Sequence, residues 1–262
     1  MRRYSLNKNE KRLRELVSNS ALSADVEIIY KEVTSSTNEI AKLAPRGVSK
    51  DQIYVAQEQT AGRGRLGRSF VSDTGGLYMT LRFERRLPPM VATKITVFAA
   101  VAVARVIERL TSLTPMIKWV NDIFIGDKKL AGILCEGVTD ENGELAVIAL
   151  GIGVNVFGTL SPEIAEIATT LSAHTEAAPD IPTLAAETVK EIYSLKDTPF
   201  SLIIDEYRRR SLVIGRRVRV LRQNEEYHAL ARGIDDSGAL VLERDNGKEE
   251  HLATGEISVR LS

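Results

Sequence analysis

The sequence has one cysteine, one tryptophan, three histidines and no net charge. Cys135 alone cannot close an intrachain disulfide, and no Cys/His spacing of metal-site type surrounds His174, His228 or His251, so nothing points to structural zinc. The 35 Lys and Arg balance 35 Asp and Glu. No global field therefore draws the molecule to nucleic acid or anionic lipid, and any anion site must be local. No apolar run approaches the roughly 20 residues that span a bilayer, and the basic N-terminal stretch MRRYSLNKNEKRLRELVSNSALSA lacks the apolar core of a signal peptide. The expectation is a soluble cytoplasmic protein with no membrane or nucleic-acid partner. Internal repeats, low-complexity tracts, a Gly-Lys-Ser/Thr phosphate loop and a serine or cysteine nucleophile motif are also missing.

What is present is a chain of 262 residues, 44% hydrophobic and 27% charged, which suits one large and one small globular domain. Residues 26–33 read as a strand and TSSTNEIAKLA as a helix start, with Ser36 and Glu39 spaced as a capping box and Pro45 as the stop. A strand over 51–56 leads into the irregular QEQTAGRGRLGRSFVSDTGG, and long irregular loops in compact domains are often functional. A strand over 77–83, an almost wholly apolar helix over 91–110, and the strand-like MIKWV, DIFI, KLAGILCEG and ELAVIALGIGVNVF follow. Helical patterns fill 161–210. Beyond Val213 short alternating strands take over, so the expected division is an N-terminal arm over 1–25, a catalytic domain over 26–212 and a small β domain over 213–262.

Several residues invite chemistry. Gly62, Gly64 and Gly67 spell G-x-G-x-x-G, but the segment after them is a poor helix start, which argues against a dinucleotide turn. What remains is Arg63, Arg65 and Arg68 on a glycine backbone, a loop able to wrap an anion; a solvated basic loop is the bland alternative. Lys118 lies among apolar neighbours in IKWVND and needs either a ligand or an acid such as Asp122. Trp119 suits core packing. Asn121 and Asp122 could cap a turn, or Asp122 could help hold Mg²⁺. Ser36, Thr37 and Asn38 offer polar groups at a helix start, either to a small ligand or simply as caps. The glycines of Gly151-Ile152-Gly153-Val154-Asn155 permit close approach of a backbone or planar ligand, or form a bulge. Cys135 reads as core.

Together TSSTNEIAK, EQTAGRGRLGRSF, GGLYMTLRF, IKWVNDIFIGDKKLAGILCEG, GIGVNV and the terminal GEISVR resemble the bacterial biotin protein ligases, densely over residues 30–157 and more loosely over the last fifty. The resemblance implies an α+β protein: a catalytic domain with a central mixed, largely antiparallel sheet and flanking helices, then a small SH3-like β-barrel. It implies an ATP-dependent enzyme that makes biotinyl-AMP and transfers biotin to a lysine of a biotin carboxyl carrier protein. ATP and biotin would be substrates and Mg²⁺ the metal. By the same resemblance Ser36, Thr37, Asn38 and Gln59 contact biotin, and Arg63, Gly64 and Arg65 close over biotin and phosphate. Lys118 and Arg65 carry the catalytic charge, Lys118 also touching the biotin carboxylate. Arg68, Phe70, Asn121, Asn155 and Arg260 belong to the nucleotide side, Phe70 standing where relatives often have tryptophan, and Asp122 is the metal candidate. Val120 replaces the proline of the family's Lys-Trp-Pro-Asn-Asp motif. A ligase for lipoate or another acyl group is the alternative on this fold. A DNA-binding repressor is not expected, because only about 25 residues precede Val26. The family includes monomers and homodimers, and the sequence is compatible with a homodimer.

Overall fold

The computed structural model describes residues 7–222, 225–253 and 256–259. The chain runs through α1 (Lys8–Ser18), β1 (Val26–Thr34), α2 (Thr37–Leu43), β2 (Asp51–Gln59), β3 (Gly76–Phe83) and α3 (Val91–Thr111). Four strands follow: β4 (Met116–Lys118), β5 (Asp122–Ile125), β6 (Lys128–Thr139) and β7 (Leu145–Asn155). Then come α4 (Pro162–Ala165), α5 (Ile181–Ser194) and α6 (Phe200–Arg209). The last strands are β8 (Arg217–Arg222), β9 (Glu225–Ile234), β10 (Leu240–Arg244), β11 (Glu249–Leu252) and β12 (Glu256–Val259).

Among the described residues the strands form two sheets, one of seven strands in the order β1-β2-β3-β7-β6-β5-β4 and one of five in the order β11-β10-β9-β8-β12. In the large sheet only β1 and β2 are parallel; every other neighbouring pair is antiparallel. The fold is therefore α+β with a mixed central sheet. The small sheet is antiparallel throughout. No pairing joins β11 to β12 among the described residues, so what is seen there is a five-stranded sheet, and closure into a barrel is not part of it.

Alternation along β2 explains the layering, because successive side chains of a strand point to opposite faces. Ile53 and Val55 enter the main core with α3, α5 and α6, while Tyr54 joins a second cluster with Ala41 of α2 and Ala149 of β7. The centre of α3, from Ala99 to Ala104, is wholly buried, as its uniform apolarity predicts. The segment before β1 is no loose arm in its described part, since α1 buries Leu13 and Val17 in the same core. The two sheets touch through Trp119, whose Nε1 donates to Gly238 O at 2.9 Å. Arg208 of α6 also reaches the small sheet, donating to Ile234 O at 2.7 Å. Among the described residues no helix is long and apolar enough to cross a membrane.

At the C-terminal end of α2, Arg82 of β3 is fully buried and donates to Ala41 O at 2.8 Å, Pro45 O at 3.0 Å and Gln52 Oε1 at 3.2 Å, and pairs with Glu84 at 2.8 Å. Removing one partner of a buried ion pair leaves the others desolvated and unsatisfied, at a cost of about 3 kcal/mol or more. Arg82→Met should lower stability by about 3 kcal/mol in urea unfolding; a loss below about 1 kcal/mol would mean that the clamp is dispensable.

Candidate active site

One cavity of about 460 Å³ opens between α2, the loop after β2, the β4–β5 turn and the ends of β6 and β7. Ser36, Thr37, Asn38, Gln59, Arg63, Gly64, Arg65, Arg68, Phe70, Lys118, Asn121, Asp122 and Asn155 all line it. The residues singled out in the sequence are thus brought together from distant parts of the chain, save Arg260, which lies outside the described residues. Ile257 of β12 reaches the same cavity.

Its neutral end is built on the start of α2. The expected capping box does not form: Ser36 makes no side-chain cap bond. Glu39 turns instead to the Ser35 hydroxyl, at 2.8 Å, and to Arg63, at 3.2 Å. The helix N-terminus is satisfied by tertiary structure, Gln59 Oε1 accepting from Thr37 N at 2.8 Å. Asn38 Nδ2 donates to Leu134 O at 3.1 Å and to Glu136 Oε2 at 2.9 Å, while Thr80 Oγ1 donates to Asn38 Oδ1 at 2.6 Å. Lys42 Nζ lies 2.7 Å from Glu136 Oε1. Burial pushes the Glu136 pKa up, but the Lys42 and Asn38 hydrogen bonds and the Lys42 and Arg63 charges outweigh it, so the net shift is downward and the group is a carboxylate. Asn38 sits where Gly151 has no side chain, and a Cβ there would displace Asn38 Oδ1.

The other end is cationic. The glycine-rich loop folds back as a narrow hairpin, with Phe70 N donating to Gly62 O at 2.9 Å and Gly64 N to Arg68 O at 2.7 Å. A Cβ on Gly62 would strike Phe70 O and Ser72 Oγ. The hairpin brings Arg63, Arg65 and Arg68 to the cavity rim, and Arg65 Nη1 donates to Asn121 Oδ1 at 3.3 Å. Asn121 in turn donates to Ile133 O at 2.8 Å. Lys118 ends β4 with its Nζ 5.7 Å from the centre of the Phe124 ring. Trp119 packs in the core as expected, at 3% exposure, and the Trp119–Val120 peptide is cis.

The structure adds Lys129, which no sequence motif singled out. Its Nζ pairs with Asp122 at 2.7 Å and lies 5.7 Å from the centre of the Phe70 ring. Asp122 is therefore the partner of Lys129. The signal was faint: Lys128 and Lys129 are adjacent, and only strand alternation with a bulge between Ile123 and Phe124 sends Lys128 to Ala165 O and Lys129 to the cavity. Phe70 rests on glycine, its ring 2.7 Å from where a Gly153 Cβ would be and 3.3 Å from that of Gly132, and it meets Tyr78 edge-on at 6.3 Å. Asn155 Nδ2 donates to Thr169 O at 3.1 Å. Cys135 is partly buried against the core and desolvation pushes its thiol pKa up to about 12, so it is no thiolate nucleophile.

Comparison with known proteins bears directly on this constellation. Residues 30–155 match the model of the biotin/lipoate A/B protein ligase family, and residues 213–260 that of the biotin protein ligase C-terminal domain. The bifunctional ligase/repressor BirA of Bacillus subtilis is 34% identical over 93% of this chain and 78% of its own length. The chain belongs to the biotin protein ligase family. The biotin–[acetyl-CoA-carboxylase] ligase of Paracoccus denitrificans is 33% identical over 82% of this ligase and 94% of its own length. The biotin protein ligase of Aquifex aeolicus, solved with biotin and ATP, aligns with a TM-score of 0.77 at 26% identity, covering 90% of this chain and 99% of that one.

The tight seat of Asn38 on Gly151 yields a direct test. Gly151→Ala should leave the ligase folded but cost about 1–3 kcal/mol from overpacking, and should displace the Asn38 amide, visible as a shift of its side-chain NH₂ resonances in NMR. An unmoved Asn38 signal in a variant of undiminished stability would contradict the geometry.

Proposed function

We propose that this ligase condenses biotin with ATP to biotinyl-AMP in the cavity described, and transfers biotin to a lysine of a biotin carboxyl carrier protein in the cytoplasm. The observation that carries the reading is the division of one cavity into an uncharged hydrogen-bonding end and a cationic end. Ser36, Thr37, Asn38 and Gln59 suit a neutral polar head, and Arg63, Arg65, Lys118 and Lys129 suit a carboxylate and phosphates. The spacing fits an acyl acid lying with its head at α2 and its carboxylate toward the arginine hairpin.

The difficulty in adenylation is bringing a carboxylate onto an anionic α-phosphate. A carboxylate oxygen forms the bond to phosphorus as the bond to the pyrophosphate oxygen breaks, and cations must neutralise the charge that gathers. Lys118 and Arg65 are assigned that role, with Lys129 beside them. The exposed Arg63–Glu39 pair and the half-exposed Lys129–Asp122 pair are weak in water, so the nucleotide can take over their cations at small cost. Phe70 offers an aromatic face to the base, and Arg68, Asn121 and Asn155 belong to the nucleotide side. Arg260, outside the described residues, is assigned there by family resemblance alone.

Mg²⁺ fits here only as an ion carried on the triphosphate, with Asp122 as one protein oxygen once Lys129 lets go. Among the described residues no three acidic, histidine or cysteine side chains converge to hold a metal. When bound it would neutralise phosphate charge. In the second step the carrier amine forms its amide at the biotin carbonyl while AMP leaves, so no covalent enzyme intermediate is needed. Closure of the arginine hairpin would keep water from the anhydride until then.

The decisive assay is ATP-dependent transfer of labelled biotin to a biotin carboxyl carrier domain; transfer of lipoate in its place would overturn the assignment. Two variants test the roles. Arg65→Ala should weaken retention of biotinyl-AMP by about 1.5–3 kcal/mol, the worth of a charge-assisted bond to phosphate, and biotin binding by much less; equal losses in calorimetry would contradict this. Lys118→Ala should slow biotin-dependent pyrophosphate release by roughly a hundredfold or more, with Lys118→Arg failing to restore it fully because a planar fork does not replace a compact ammonium. Near-normal release from either variant would remove Lys118 from the chemistry.

A further inference from the structure

Behind the neutral end of the cavity the hydrogen bonds have a direction, and it can be traced to a single carboxylate oxygen. Glu136 and Leu134 O can only accept, so both N–H groups of the Asn38 amide point to them and the amide oxygen faces the other way. That oxygen also can only accept, which commits the Thr80 hydroxyl proton to it, at 2.6 Å. Thr80 Oγ1 also lies 2.8 Å from Thr37 Oγ1, with its own proton held by Asn38. The Thr37 proton is drawn inward, to Gln59 Oε1 at 3.1 Å, which can only accept. Gln59 shows the same sense, its oxygen taking Thr37 N and its Nε2 donating to Ser72 Oγ at 2.9 Å. Thr80 is fully buried and lies behind the cavity wall, as does Glu136, whereas Thr37 and Asn38 line it. What Thr37 has left to offer a ligand is a lone pair.

We infer that Glu136 is a positioning residue: acting through Asn38 and Thr80, its carboxylate fixes the neutral end of the cavity as hydrogen-bond accepting and so selects an acyl acid whose head carries N–H donors. This rests on the biotin reading and deepens it. A ureido head supplies such donors, while a dithiolane head such as that of lipoate has none and would bury the Thr37 lone pair unpaired. A site built to bond an N–H discriminates strongly against analogues that lack it, because its own buried groups are then stranded. Without an acceptor at position 136, one Asn38 N–H loses its partner and only Leu134 O holds the amide. A turned amide would donate to Thr80 and free the Thr80 proton for Thr37, filling a Thr37 lone pair that the ligand N–H would otherwise use.

The test is equilibrium binding of biotin and lipoate, with KM for biotin and for ATP in pyrophosphate release, for the full-length wild type, E136A, E136Q and T80V, with thermal unfolding of each. E136A is expected to raise Kd and KM for biotin roughly tenfold, the effect of one stranded buried group. KM for ATP should move by less than about twofold, and the preference for biotin over lipoate should narrow by the same factor of roughly ten. E136Q should recover most of that loss, since its amide oxygen still accepts from Asn38 though its charge is gone. T80V, which exchanges a hydroxyl for a methyl, should mimic E136A and decides the question in the same way should E136A not fold. Equal impairment of E136Q and E136A would make Glu136 a mere ionic anchor and overturn the inference. So would unchanged biotin affinity in E136A or T80V alongside a fall in melting temperature. A wild-type chain that binds lipoate and not biotin would instead overturn the biotin reading itself, and this inference with it.

Discussion

The start of α2 is buried, with Ser36, Thr37 and Asn38 at 2%, 4% and 3% exposure, and a helix N-terminus removed from water must find partners for its backbone and side-chain polar groups. Those partners come from three different strands, Gln59 from β2, Thr80 from β3, and Leu134 and Glu136 from β6, while the bare backbone of Gly151 on β7 leaves room for the Asn38 amide. Each buried group left unsatisfied would cost about 1–3 kcal/mol, so the network ties strand order and register to the position of one short helix. Arg82 holds the other end of that helix by its carbonyls. A seven-residue helix could not hold a geometry by itself; here the sheet imposes it.

Against that rigid end stands an arginine hairpin of a different character. It is fixed at its base, where Gly62 lets two strands of the loop approach, and exposed at its tip, where Leu66 and Gly67 both adopt positive φ, 54° and 75°. Its cations and their neighbours are held by acids, Arg63 by Glu39 and Lys129 by Asp122, in pairs partly open to water. The contrast suits a site that must recognise a neutral head closely and then exchange ion pairs as phosphates come and go. The basic run at the start of the small sheet is of another kind. Arg217 pairs with Asp245 at 2.6 Å and Arg219 with Glu226 at 2.6 Å, so these two charges of GRRVRVLR are matched by neighbouring acids.

Much of this was legible in the sequence. An almost wholly apolar run marked α3, and the strand-like DIFI, KLAGILCEG and ELAVIALGIGVNVF marked β5, β6 and β7. The glycines of β7 were readable as sites of close approach, and the visitors are the Asn38 amide and the Phe70 ring. What was not legible depended on register or on distant partners. The Ser36–Glu39 spacing satisfied a local capping rule that Gln59, over twenty residues away, overrode. Asp122 pairs with Lys129, which no motif marked, and only the bulge in the β5–β6 hairpin tells the two consecutive lysines apart. The role inferred for Glu136 required the direction of each hydrogen bond, which no spacing encodes.

In the mechanism we propose, the two ends of one cavity, one accepting hydrogen bonds and one cationic, cooperate to join an N–H-bearing acyl acid to AMP. Exchange of labelled pyrophosphate into ATP measures that step alone, without carrier. Exchange should be strictly dependent on biotin and unaffected by lipoate at equal concentration. Exchange that proceeds without biotin, or as fast with lipoate, would contradict this division of labour.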